Sequence, residues 1–188
     1  NPEDPKESVE KIKKVVASVI EQIDGLARIA NEFSNFARMP EPMRGEHDLV
    51  LVIKNAIVVF QENEKYNLVF NSTFNEKKML IDKDQIVQVL NNLIKNAIQS
   101  FQNRGHGTIR IQLTENKESG ATCVSVEDNG FGIDPDNKKN IFIPHFTTKS
   151  TGSGIGLSLV KQIIENHEGT ISFTSSLNEG SVFTFSIP

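Results

Sequence analysis

A chain of 188 residues can hold one substantial domain with an appendage, or two small ones, and 37% hydrophobic with 23% charged residues is ordinary globular composition. A net charge of −4 argues against nucleic acid as a partner, whose binding proteins carry a basic field. One cysteine, Cys123, excludes an internal disulfide framework and a cysteine-cluster zinc site, and fits a reducing compartment.

In chain order, the first segment carries a heptad. Val9, Ile12, Val16, Val19, Ile23, Leu26, Ala30, Phe33 and Ala37 recur at spacings of three and four, an a/d stripe held over about four heptads. Ile20, Ile29 and Phe36 widen it, as in a helix bundle, and Gly25 weakens it by about 1 kcal/mol relative to alanine. Such a stripe needs partner helices. The alternative, a helix packed on its own domain, fits less well because a linker follows, ARMPEPMRGE, where Pro40 and Pro42 stop the helix and Gly45 loosens the chain. The expected division is 1–38 for the helix, 39–46 for the linker and 47–188 for a second domain.

LVLVIKNAIVVFQ (49–61) is a buried helix or strand by periodicity and a helix by its length; apolar runs such as LVLVI (49–53) fall far short of a membrane span, and no signal peptide is visible. NLVFNSTF (67–74) and KKMLI (77–81) read as strands around a turn. Residues 82–102 read as a helix, 107–115 and 121–130 as an antiparallel pair, 156–167 as an amphipathic helix, and the last strands as a closing hairpin. Hairpins with helices between them predict an α+β sandwich: one mixed sheet with helices covering one face.

Within 82–102, Asn92 and Asn96 share one face of an otherwise apolar helix, about 6 Å apart along its axis. One partly buried asparagine is usually satisfied by its neighbours. Two in line invite a polar ligand, since an amide offers a hard oxygen to magnesium and an NH2 to phosphate. EDNGFGI (127–133) runs a strand into Asp128 and turns at Gly130 and Gly132. A carboxylate there can accept from an exocyclic amine such as that of adenine, although Asp-Gly turns are common. TTKSTGSGIGLSLVKQII (147–164) sets Gly152, Gly154 and Gly156 directly before a helix, whose free N–H groups and dipole suit an anion. It lacks the GxxxxGK[ST] run of a P-loop and the spacing of a dinucleotide fingerprint. DPDNKK, read as a calcium loop from Asp134, fails at Lys139 and His145.

Singly these signals are ambiguous; in this order they are not. Asn92/Asn96, Asp128-x-Gly130-x-Gly132, Phe142…Phe146 and Gly152-x-Gly154-x-Gly156-Leu157 resemble the N box, first glycine box, F box and second glycine box of the Bergerat-type (GHKL) ATPases. Over about residues 45–188 the chain is most similar to bacterial sensor histidine kinases. IDGLARIANEFSNFARMPEP resembles the end of the dimerisation domain in NtrY-type nitrogen-regulation kinases.

The resemblance implies ATP and Mg2+ as ligands, with Asn96 on the metal, Asn92 helping to hold the phosphates, and Asn92 and Lys149 as the catalytic residues at the γ-phosphoryl group. Asp128 would select adenine, Gly130 and Gly132 would let the backbone approach the base, and Ile133 would be among the nucleotide-binding residues. Phe142 and Phe146 would anchor a lid over about 142–155 that contributes Thr148, Lys149, Gly152, Ser153, Gly154 and Ile155, ahead of Gly156 and Leu157. Position 99, a phosphate-binding lysine in several kinases, is Gln99, so Lys95 or Lys149 is expected to compensate. None of the four histidines sits in an acceptor motif. The heptad helix is then the second of the dimerisation hairpin, and a chain starting at Asn1 reads as part of something longer, lacking the first helix and unable to phosphorylate itself. A homodimer in the intact kinase, a response regulator receiver domain as partner, and a cytoplasmic location, with or without an inner-membrane anchor on the full-length protein, follow from the same resemblance. Two rivals are a hydrolysing ATPase of the gyrase, MutL and heat-shock chaperone group and a non-catalytic nucleotide-binding dimerisation module. The first is disfavoured because Asn92 stands where that group has a glutamate base, and an amide takes no proton from water.

Overall fold

The computed structural model describes residues 5–37, 41–61, 64–101, 105–148 and 152–188, with the side chains of the first helix described in part. That helix, α1, spans Pro5–Ala37. Proline suits its first turn, where an N–H would lack a partner anyway. Val9, Ile12, Val16, Val19, Ile23 and Leu26 along its stripe are 46–67% exposed. The side chains of Ala30, Phe33 and Ala37 lie outside the described residues.

A five-stranded sheet is formed by β2 (Tyr66–Ser72), β4 (Gly107–Glu115), β5 (Thr122–Asp128), β7 (Gly180–Ile187) and β6 (Thr170–Ser176), in that order. Strands β2 and β4 are parallel and the other pairs antiparallel. Because side chains alternate across a strand, each inward rung can be followed across the sheet. Leu113, Val124, Phe185 and Ile171 form one rung, and Phe70, Ile111, Val126, Phe183 and Phe173 the next. The third runs Leu68, Ile109, Asp128, Ser181, Ser175. The inward face therefore turns polar at one end.

Helices α2 (Leu49–Ile57), α3 (Lys83–Gln99) and α4 (Gly156–Asn166) cover this face. Leu49, Ile53, Ile86, Leu90, Leu93, Ile94, Val160, Ile163 and Ile164 are at most 1% exposed. Asp48 caps α2 by accepting from Val50 N at 3.0 Å. Asp82 caps α3, accepting from Asp84 N and Gln85 N. Its other oxygen accepts from Met43 N, and its own N–H donates to His167 Nε2 at 3.0 Å. Arg44 bonds the end of α4 through Asn166 O and Glu168. His167 at one end and Asn92 against Gly156 at the other make α3 and α4 antiparallel.

Two elements differ from the sequence reading. The strands at 66–72 and 78–81 do not pair with each other. Strand β3 (Lys78–Ile81) pairs with β1 (Gly45–Asp48), so Gly45 and Glu46, read as linker, belong to a two-stranded ribbon. Strand β2 instead joins β4 in parallel. A parallel pair needs a crossover, and α3 supplies it. The apolar run from Leu49 also outlasts its buried helix: Val58 and Val59, in a short 3-10 turn, are 60% and 80% exposed.

Tyr66, the protein's single tyrosine in a chain without tryptophan, is buried at the start of β2. Burial disfavours the phenolate and raises its pKa above the ordinary 10.0. The unfolded chain therefore ionises first, so this contribution to stability is intact below the ordinary value and falls as pH climbs past it. A tyrosinate absorbance titration is expected to show a midpoint above 10.0 in native protein, reverting in denaturant.

Candidate functional site

Helix α3 lays a polar line along the polar end of the sheet. Asn92, Asn96 and Ser100 lie four residues apart on one face and span about 12 Å. At the first end, a side chain at position 156 would begin 2.9 Å from Asn92 Oδ1, so the amide abuts the start of α4. Asn92 Nδ2 is tied back to Gln88 O at 2.9 Å, which fixes the oxygen's direction. No side chain caps α4 at Ile155, a buried residue, and Leu157 packs partly on the core.

At the other end Ser100 Oγ lies 2.9 Å from Asp128 Oδ1, which also accepts from Gly130 N at 2.8 Å. Asp128 is 7% exposed. Phe131 N donates to Ser100 O, and Asn178 N to Phe131 O, so the turn is held between α3 and the β6–β7 hairpin. Gly130 has no room for a side chain, whose first atom would fall 1.8 Å from Ser100 Oγ. Gly132 has φ +68, and a Cβ there would lie 2.1 Å from Ser176 O. The glycines are thus demanded by the protein's own close packing. Ile133 N donates to Ser175 Oγ at 2.8 Å, and that hydroxyl contacts Gly180 O and Ser181 Oγ.

The described residues 142–148 and 152–155 are anchored on the sheet and on each other. Phe142 meets Phe173 edge-on, with ring centroids 5.9 Å apart, and Phe146 packs partly on the core. His145 N donates to Gly154 O at 3.0 Å, and Gly154, φ +71, would place a Cβ 2.5 Å from His145 C, closing the segment's base. Gly152 and Ser153 are half-buried, with Ser153 Oγ 3.4 Å from Ile155 N, while Thr148 and Lys95 are exposed. Lys149 lies outside the described residues. Asp128 and Gly130 thus sit at one end of this helix line, and Asn92 with Gly156 at the other.

Sequence reasoning missed Ser100, although its place eight residues after Asn92 marked it as the line's third member. It also missed Ser175, Ser181 and Gly180, which reach the site only through strand pairing. Gly180, φ +109, would set a Cβ 1.9 Å from Asp128 O.

The family described as histidine kinase-, DNA gyrase B-, and HSP90-like ATPase matches residues 81–188, a stretch that contains all four boxes. The chain belongs to this ATPase family. Curated relatives that it matches include sensor histidine kinases. ZraS of Salmonella typhi is 39% identical over 144 residues, which are 76% of this chain and 29% of that protein. An NtrY-like sensor histidine kinase of Rickettsia conorii is 32% identical over 178 residues, 94% of this chain and 29% of its own. The ATPase chain thus spans about three-tenths of the length of these relatives. Among solved structures, the catalytic domain of histidine kinase ThkA is 34% identical with TM-score 0.67, covering 77% of this chain and 95% of that one. ThkA in complex with the response regulator protein TrrA matches 99% of this chain and 52% of that one, at 28% identity and TM-score 0.75. The α+β sandwich here is the histidine-kinase catalytic fold, and among the described residues no helix is long and apolar enough to cross a membrane.

Proposed function

We propose that this chain is the Mg-ATP-binding catalytic part of a two-component sensor histidine kinase, which passes the γ-phosphoryl group of ATP to a histidine imidazole for relay to a response regulator receiver domain. The observation that carries this reading is the α3 line, with a buried carboxylate at one end and a glycine-led helix N-terminus at the other. Its span of about 12 Å suits a ligand with an amine-bearing base at one end and an anionic chain at the other. Asp128 accepts from the adenine amine, Asn92 and the start of α4 receive the phosphates, and Asn96 stands between.

Asn96 would hold magnesium through its hard amide oxygen, leaving the remaining ligands to phosphate and water. Among the described residues no group of three or more His, Cys, Asp or Glu could hold a metal. The bound ion neutralises phosphate charge; the protein orients the triphosphate and screens it from water. An asparagine at 92 favours transfer to a side chain over hydrolysis. The exposed stripe of α1 suits a helix bundle with a second copy.

Calorimetry is expected to show Mg-ATP binding that weakens about tenfold or more with chelator, and Asn96→Ala is expected to abolish that metal dependence. With γ-labelled ATP the chain alone is expected to take up no label, since no histidine here sits in an acceptor motif. Label on one of its histidines would refute that expectation. Sustained phosphate release without an acceptor would favour the hydrolysing ATPase instead.

A further inference from the structure

We propose that Ser100 is a specificity-determining positioning residue, whose hydroxyl holds the Asp128 carboxylate in the orientation that selects an amine-bearing purine. The proposal rests on the adenine reading of the site and deepens it. Ser100 is the first residue past α3, and its N–H still bonds Asn96 O and Ala97 O, so its backbone is fixed by the helix. Its Oγ is 2.9 Å from Asp128 Oδ1 and its carbonyl accepts from Phe131 N. One residue thereby grips the carboxylate and the turn that follows it. Gly130 adds a second donor to the same oxygen and leaves the space that the Ser100 side chain fills.

The hydroxyl has a choice of acceptor, because Ala97 O lies 2.6 Å away. It has one proton to give. A carboxylate is the stronger acceptor, and pointing a hydroxyl lone pair at it would be repulsive, so an ionised Asp128 draws the proton to itself. With Oδ1 held by two donors, the carboxylate plane cannot turn when a ligand arrives. The acceptor is set in advance, and its selectivity is not lost to reorganisation. Alanine at 100 would keep the helix and remove the only side-chain donor among these contacts.

The test compares the whole chain with Ser100→Ala, using calorimetry with Mg-ATP and with the magnesium complex of purine riboside triphosphate, which lacks the 6-amino group. Wild type is expected to favour ATP clearly. In the variant, ATP affinity is expected to fall about fivefold to tenfold, the scale of one hydrogen bond, while the deamino analogue binds as before. The ratio of the two affinities therefore shrinks, which a merely structural role would not produce. A thermal melt checks that the variant is folded. An unchanged ratio, or equal weakening of both ligands, overturns the proposal while leaving the site reading intact. Wild-type protein that binds no Mg-ATP, or binds both nucleotides alike, would overturn the adenine reading and this proposal with it.

Discussion

Asp128→Asn is expected to weaken Mg-ATP binding about a hundredfold or more while leaving the melting temperature within a few degrees. Asparagine has the shape of aspartate, and its Oδ1 can still accept from Gly130 N and Ser100 Oγ. That pins the amide nitrogen where the second carboxylate oxygen stood. An NH2 then faces the adenine amine, donor against donor. The loss is a charge-assisted hydrogen bond, worth about 1.5–3 kcal/mol, plus the penalty for an adenine amine and an asparagine NH2 that face each other with no acceptor. About 3 kcal/mol in all is the hundredfold. Stability is little affected, because the variant removes a buried charge without removing packing. Calorimetry and a thermal melt read the two effects separately. Undiminished ATP affinity in a folded variant would show that Asp128 is not the base-reading group.

The second large effect is on the fold and the site together. Gly132→Ala places a methyl 2.1 Å from Ser176 O and 3.0 Å from Gly180 O, and both are backbone atoms that cannot swing aside. The left-handed φ of +68 adds about 1–2 kcal/mol for an L side chain, and overpacking adds about 1–3 more. A total near 3 kcal/mol lowers the melting temperature by about 6–12 °C in a chain of this size. Relief requires the turn to lift off the β6–β7 hairpin, which shifts Asp128 as well, so ATP binding is expected to fall in parallel. Gly120→Ala is the control. Gly120 has a similar φ, +71, but open space around it, so only the conformational term of about 1–2 kcal/mol applies, with binding unchanged. Equal losses in the two variants would rule out steric crowding at Gly132.

What could be read in advance followed local periodicity. The i, i+4 spacing of Asn92 and Asn96 and the alternation in 107–115 and 121–130 are properties of one element each, and the structure carries both. Pairing between distant strands is not local. Strand β1 is four residues long, too short for alternation to stand out beside a proline-rich stretch, and its partner at 78–81 was assigned to the preceding strand instead. The polar rung of Asp128, Ser181 and Ser175 exists only once β5, β7 and β6 lie side by side in register. Ser100 was hidden for a different reason. It stands just past the helix end, where serine is common in turns, and only the contact with Asp128 separates it from that background.

Asp82 has a mechanical consequence. The chain enters the domain through Met43 and Arg44, which are fastened to the N-terminus of α3 and the C-terminus of α4. Those are the far ends of two antiparallel rods, of which α3 alone is about 25 Å long, and part-way along α3 Asn92 meets Gly156, the first residue of α4. A pull on the entering chain would therefore act on α3 and α4 directly, without crossing the sheet. By linkage, a ligand that shifted α3 against α4 would return the same coupling energy to the entry point at Met43 and Arg44.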